Sequence, residues 1–153
     1  MEFEHQDALD RFRDRVETEL LQSAPRRDVT YPAEALETWD VDRISAANAA
    51  LLDGFAGAAN LYALFVAPRN STAFEIRYIG KTTRTLARQR LRNHLITKNE
   101  CTGAKLTHIQ DHVRRGGSVQ VAWVRVDPES LRNYLEEELI AKHQATLWNR
   151  PQR

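Results

Sequence analysis

The spacing of apolar residues changes period once along this chain, and the change divides it. Leu9, Phe12, Val16 and Leu20 recur three or four residues apart, which predicts an amphipathic helix within residues 2–22. Residues 23–42, broken by Pro25 and Pro32, read as a connection. Ser45 to Asp53 reads as a second helix, interrupted by Gly54 and Gly57. From Leu61 the period shortens. Leu61 to Val66 is an unbroken apolar run, as in a strand covered on both faces. Phe74 to Ile79 alternates, and with the turn-like Pro68–Thr72 between them the two runs predict an antiparallel hairpin.

In this reading Gly80 ends the second strand, and Thr82, Thr83 or Thr85 caps a helix running to about Thr97. Lys105 to Arg114 forms another helix, with Leu106, Ile109 and Val113 inward and Gly116-Gly117 as its stop. Val119 to Val126 is a third strand. Asp127-Pro128-Glu129 opens a last helix that carries Leu131, Leu135, Leu139 and Ile140 and ends near His143. The expected fold class is therefore α/β (α+β). A small three-stranded, mostly antiparallel sheet is flanked by helices in the order β-β-α-α-β-α over residues 59–153, behind an N-terminal helical arm of residues 1–58.

Composition narrows this only in places. A length of 153 residues suits one compact domain with an added arm. Cys101 is the single cysteine, so neither an internal disulfide nor a thiolate zinc cluster is available. No apolar run approaches the roughly 20 residues a membrane span needs, and the charged first twenty residues do not form a secretory signal. A cytosolic protein is the expectation. The net charge of +1 conceals an asymmetry. Residues 1–58 hold 6 Lys+Arg against 13 Asp+Glu, whereas residues 77–115 hold 10 against 2. The second segment suggests a basic face for phosphates and the first an acidic arm that covers or orients it. Solvated helix faces are the plainer explanation of such runs.

Five features then fall in one order: Leu61-Tyr62, Tyr78-Ile79-Gly80, Arg90 and His94 four apart on one helix face, Glu136 followed by Leu139-Ile140, and Leu147-Trp148-Asn149. Over residues 60–149 this resembles the GIY-YIG nuclease family, and the expected element order agrees with that family's core. The resemblance implies a metal-dependent endonuclease acting on double-stranded DNA, with one Mg²⁺ (or Mn²⁺) per active site. It places Tyr62 and Tyr78 near the scissile phosphate, where one hydroxyl positions or deprotonates the attacking water. Arg90 would pair with phosphate oxygens, His94 would orient a tyrosine or shuttle a proton, Glu136 would hold the metal, and Asn149 would hydrogen-bond nearby. Lys81 stands where it could meet a phosphate or lower a tyrosine's pKa. Arg88 remains an alternative to Arg90, and Glu137 to Glu136. Arg84, Arg88, Arg92, Lys98 and Lys105 read as duplex-backbone contacts or as a solvated stripe. The Leu-Trp-Asn ending and the lack of a large attached domain look most like the stand-alone restriction endonucleases of the family. With one site per chain, cutting both strands implies a homodimer. A non-specific nuclease of the same fold and an inert nucleic-acid-binding module are the rival readings.

The match has departures. The first motif is Asn60-Leu61-Tyr62, with Asn60 where the family carries Gly; asparagine tolerates the left-handed backbone better than most residues. Two other motifs fail on inspection. Gly80-Lys81-Thr82 mimics the end of a nucleotide-binding loop, but position 75 is Glu rather than the required glycine. His108 and His112 have the spacing of a zinc-protease helix but lack the general-base Glu between them.

Overall fold

A computed structural model describes residues 1–97 and 105–149. Its centre is a four-stranded, wholly antiparallel sheet in the order β1-β4-β2-β3, formed by β1 (Arg27–Asp28), β2 (Leu61–Ala67), β3 (Glu75–Lys81) and β4 (Ser118–Val124). The mixed α/β class follows the sequence pattern, and the strand count exceeds it by one. The extra strand lies in the stretch read as a connection. Arg27 and Asp28 pair with Val121 and Gln120 at the sheet edge. Two residues with exposed side chains carry no apolar alternation, so only the ladder itself reveals them.

Every residue of β2 is buried, as its unbroken apolar run requires, because helices cover both faces. On one face Tyr62, Leu64, Val66 and Tyr78 pack against α2 (Val41–Ala47), α3 (Ala49–Phe55), α4 (Ala87–Leu95) and α5 (Leu106–Arg114), through Ile44, Phe55, Leu91, Ile109 and Val113. On the other, Leu61, Ala63, Phe65 and Ile79 pack against α1 (Gln6–Thr18) and α6 (Leu131–His143), through Val16, Leu135, Leu139 and Ile140. Each such fully buried side chain contributes about 1.5–3 kcal/mol. The first 58 residues are thus built into both cores, through Val16 and Leu20 on one side and Ile44, Leu52 and Phe55 on the other.

The alternation expected along the second strand breaks at Arg77. Leu64 pairs with Tyr78 but Phe65 pairs with Ile76, leaving Arg77 as the extra residue of a β-bulge. Ile76, two residues before Tyr78, therefore faces α6, while Tyr78 faces α4. A regular strand would have put both on one face. Three further expectations shift. β3 runs through Gly80 to Lys81, which pairs with Leu61, rather than ending at Gly80. Of the three threonines, it is the Thr83 hydroxyl that accepts from Leu86 N, at 3.3 Å, in the turn before α4, and the helix ends at Leu95 rather than near Thr97. Asn60 is not left-handed, since among the described residues the positive-φ non-glycine positions are Trp39 and Asn70. Its buried amide instead grips both backbone groups of Val126 at 2.8 Å, tying the entry of β2 to the chain beyond β4.

Candidate active site

Tyr62 and Tyr78 lie on the α4 face of the hairpin with ring centroids 6.1 Å apart. His94 completes the cluster, 6.0 Å from the Tyr62 ring and 4.5 Å from the Tyr78 ring. Tyr62 sits directly across the ladder from Gly80, and its ring leans over that glycine. A Cβ at position 80 would come within 2.5 Å of Tyr62 Cζ, 2.6 Å of its hydroxyl and 2.8 Å of Tyr78 Cε1. Position 80 is glycine because the tyrosine occupies the space a side chain would need.

The helix arginines separate cleanly. Arg90 is half-buried beside both tyrosines, near enough for its guanidinium to favour their ionised forms. Arg88 is exposed and paired with Asp53, Arg92 reaches Ser45 Oγ at 3.4 Å, and Arg84 is exposed. The glutamates separate in the same way. Glu136 is buried on α6 against the end of β3, Glu137 is exposed, and Glu138 lies 3.4 Å from Arg13. Lys81 Nζ stands 3.1 Å from Glu136 Oε2, an ion pair without hydrogen-bond alignment. The site thus wraps around the edge strand, with tyrosines, Arg90 and His94 on one face and the Lys81–Glu136 pair on the other.

Three atoms here are buried without a hydrogen-bond partner: Tyr62 Oη, Arg90 Nε and Glu136 Oε2. Leaving Tyr62 Oη and Arg90 Nε unmade costs about 1–3 kcal/mol each, whereas Glu136 Oε2 has the Lys81 ammonium 3.1 Å away; the three come from three different elements. Burial shapes their protonation. It pushes the Tyr62 and Tyr78 phenols up, against the pull of Arg90, so both rest as hydrogen-bond donors. Burial also lowers His94 to about 3, helped by Arg90 and Lys105. Its Nδ1 accepts from the Lys105 backbone N–H at 3.0 Å, so the neutral ring carries its proton on Nε2. Glu136 is raised by burial, with Lys81 and Arg90 opposing.

Comparison with known protein families, with curated proteins and with solved structures returns no match. The geometry therefore carries the functional argument alone. Asn149 acts on the frame of the polar cluster. Its amide accepts from Ile79 N at 3.0 Å and donates to Ile79 O at 2.9 Å, while Trp148 N donates to Arg77 O at 2.6 Å. Both residues grip β3 on either side of Tyr78. Lys98 lies outside the described residues. His108 stacks on Trp148, and His112 Nε2 is 3.0 Å from Ser118 O, so the two histidines face different partners.

One residue here escaped the sequence. Arg132, one helical turn before Glu136, lines a cavity of about 220 Å³ with Lys81, Arg90, Thr82, Thr83 and Leu86. Three cations around one small cavity suit a phosphate group. The four-residue spacing to Glu136 was a signal for Arg132, visible only once Glu136 was known to face the site. Among the described residues no group of three His, Cys, Asp or Glu could cage a metal, and no helix is long and apolar enough to cross a membrane.

Proposed function

We propose that this chain is a metal-dependent endonuclease of the GIY-YIG type, hydrolysing phosphodiester bonds of double-stranded DNA. The observation that carries this reading is the convergence of the unpartnered Tyr62 and Arg90 atoms with the buried, Lys81-paired Glu136 and a cavity lined by Lys81, Arg90 and Arg132. Stability alone gives no reason for three elements to bury these polar groups together; a ligand with oxygen donors and negative charge does.

Glu136 would hold a divalent ion, and its single carboxylate suits a hard, oxygen-seeking cation. Bound there, such an ion would supply Lewis-acid polarisation and charge neutralisation at the phosphoryl oxygens. The chain supplies the rest. Arg90, Lys81 and Arg132 bind the non-bridging oxygens, and Arg90 offsets the extra charge that develops as water adds to phosphorus and the leaving oxygen departs. The Tyr62 and Tyr78 hydroxyls hold the water and the reacting phosphate in line. At rest both are neutral phenols that orient; Tyr78, closer to solvent and with its rise opposed by Arg90, is the one that loses its proton to solvent when cations assemble around it and then takes the proton of the attacking water. Neutral His94 packs against both rings and fixes them. Gly80 leaves room for the Tyr62 ring, and Asn149 fixes the Ile79 peptide between the two reacting faces.

Each chain has one such constellation, so a double-strand cut calls for two copies, and the recognition of specific sequences is proposed with it. The test is incubation with plasmid DNA and Mg²⁺ beside an EDTA control and a Glu136→Ala variant. Discrete fragments are expected. A smear would assign a nuclease without sequence preference, no cutting with any divalent metal would refute hydrolysis, and cutting by Glu136→Ala would remove Glu136 as the metal ligand.

A further inference from the structure

A second cavity lies away from the tyrosines. It occupies about 520 Å³ at the far end of the β2–β3 hairpin, between the loop after β2 and the turn that joins α5 to β4. Its charged walls are Arg69, Arg77, Arg115 and Glu75, with His112 and Trp148 beside them. Glu75 and Arg77 neutralise each other at 2.7 Å. Arg69 and Arg115 are exposed, and among the described residues neither guanidinium has an ion-pair or hydrogen-bond partner. Two unmatched guanidiniums therefore face one space.

The space is shaped by glycine. Gly116 has φ of +90°, and a Cβ there would crowd the Arg69 stem at 3.0 Å from Cδ, while one at Gly117 would collide with the His112 ring. The turn thus lets the Arg69 stem lie along its backbone, which limits the rotamer freedom its guanidinium would lose on binding. Trp148 has one face stacked on His108, 4.8 Å away and 14° from parallel, so a base finds at most one free aromatic face here. Open, doubly cationic walls with little stacking surface suit a phosphate backbone better than a nucleotide.

Val66, on this cavity's wall, faces the same side of the sheet as Tyr62 and Tyr78. The six residues from Tyr62 to Pro68, at about 3.3 Å each, separate the two sites by roughly 20 Å. That spans on the order of six nucleotides of one DNA strand at about 3.4 Å per step. We infer that Arg69 and Arg115 form a second backbone-phosphate site for the same DNA duplex whose scissile bond lies at Tyr62 and Tyr78. This rests on the nuclease reading and extends it, because a second anchor fixes the duplex's direction across the sheet.

The test compares the full-length protein with the Arg69→Ala/Arg115→Ala and Arg69→Lys/Arg115→Lys variants. Duplex binding is followed by fluorescence anisotropy across a salt series with Ca²⁺ in place of Mg²⁺, and cleavage by steady-state rates with Mg²⁺. Loss of two phosphate contacts should make the slope of log K against log salt shallower by about 1.8. It should raise KM and leave kcat unchanged, and the lysine variant should keep the wild-type slope. An unchanged slope in the alanine variant overturns the inference. So does a lysine variant that fails as the alanine one does, which would mark a packing role. A wild-type protein that binds duplex with the expected slope difference but never cuts it would retain the phosphate site and refute hydrolysis. A wild-type protein that binds no duplex would refute both.

Discussion

The buried Tyr62 hydroxyl should cost this protein stability, and Tyr62→Phe measures how much. The ring is fully buried and its oxygen has no hydrogen-bond partner. An unmade hydroxyl in that position is worth about 1–3 kcal/mol against folding. Phenylalanine keeps the ring, its edge-on contact with Phe55 at 5.4 Å and its fit over Gly80, and leaves a gap of only one oxygen. The net gain should be on the order of 1 kcal/mol, which for a chain of this length raises Tm by about 2–4 °C. Cleavage should move the other way. A hydroxyl that positions the reacting groups contributes roughly 10²-fold, so the variant should be more stable and about a hundredfold slower. Thermal denaturation followed by circular dichroism gives the first quantity, and plasmid cleavage under single-turnover conditions the second. A variant destabilised by 1 kcal/mol or more would show that the hydroxyl has a partner in the folded protein. A variant as active as wild type would remove Tyr62 from the chemistry.

Three further expectations come from the same geometry. Gly80→Ala forces a methyl into the Tyr62 ring and should destabilise by about 1–3 kcal/mol while reducing cleavage by about 10²-fold through displaced tyrosines; a wild-type melting curve would mean the ring is free to move. Because burial raises the folded Glu136 pKa, its stability contribution is greatest below its unfolded pKa and is lost as pH rises through the folded value. Mg²⁺ binding needs the ionised form, so the Mg²⁺-induced rise in Tm should grow with pH over that window and vanish in Glu136→Gln; a rise independent of pH, or retained in the variant, would place the ion elsewhere. His94 shifts the other way, from an unfolded value near 6.5 to about 3. Stability should therefore fall as pH drops below about 6.5, by about 1.4 kcal/mol per unit, and His94→Phe should flatten that dependence in urea titrations.

The apolar periods were enough to locate four of the helices and three of the strands, because a fully covered strand and an amphipathic helix must each repeat in their own way; the one helix read over Ser45–Asp53 is two, Val41–Ala47 and Ala49–Phe55, the second of which contains Gly54. That Tyr62 and Tyr78 stand on paired strands was legible too, since the hairpin that joins them is local in sequence. Gly80 was visible as a residue but not as a necessity; the reason for it is a ring from another strand. The bulge at Arg77 that turns Tyr78 toward α4 left no mark in the alternation, because a bulge is defined by the partner strand. The two-residue β1 was equally hidden, its side chains exposed and its role purely one of backbone pairing. Among the arginines and glutamates, residue type and spacing narrowed the choice to neighbours. Burial then separated Glu136 from Glu137, and proximity to the tyrosines separated Arg90 from Arg88. Arg132 and the Arg69–Arg115 pair needed the tertiary structure altogether. Sequence order determines which side chains share an element, but a cavity is made where elements from distant parts of the chain meet, and only the packed sheet decides that.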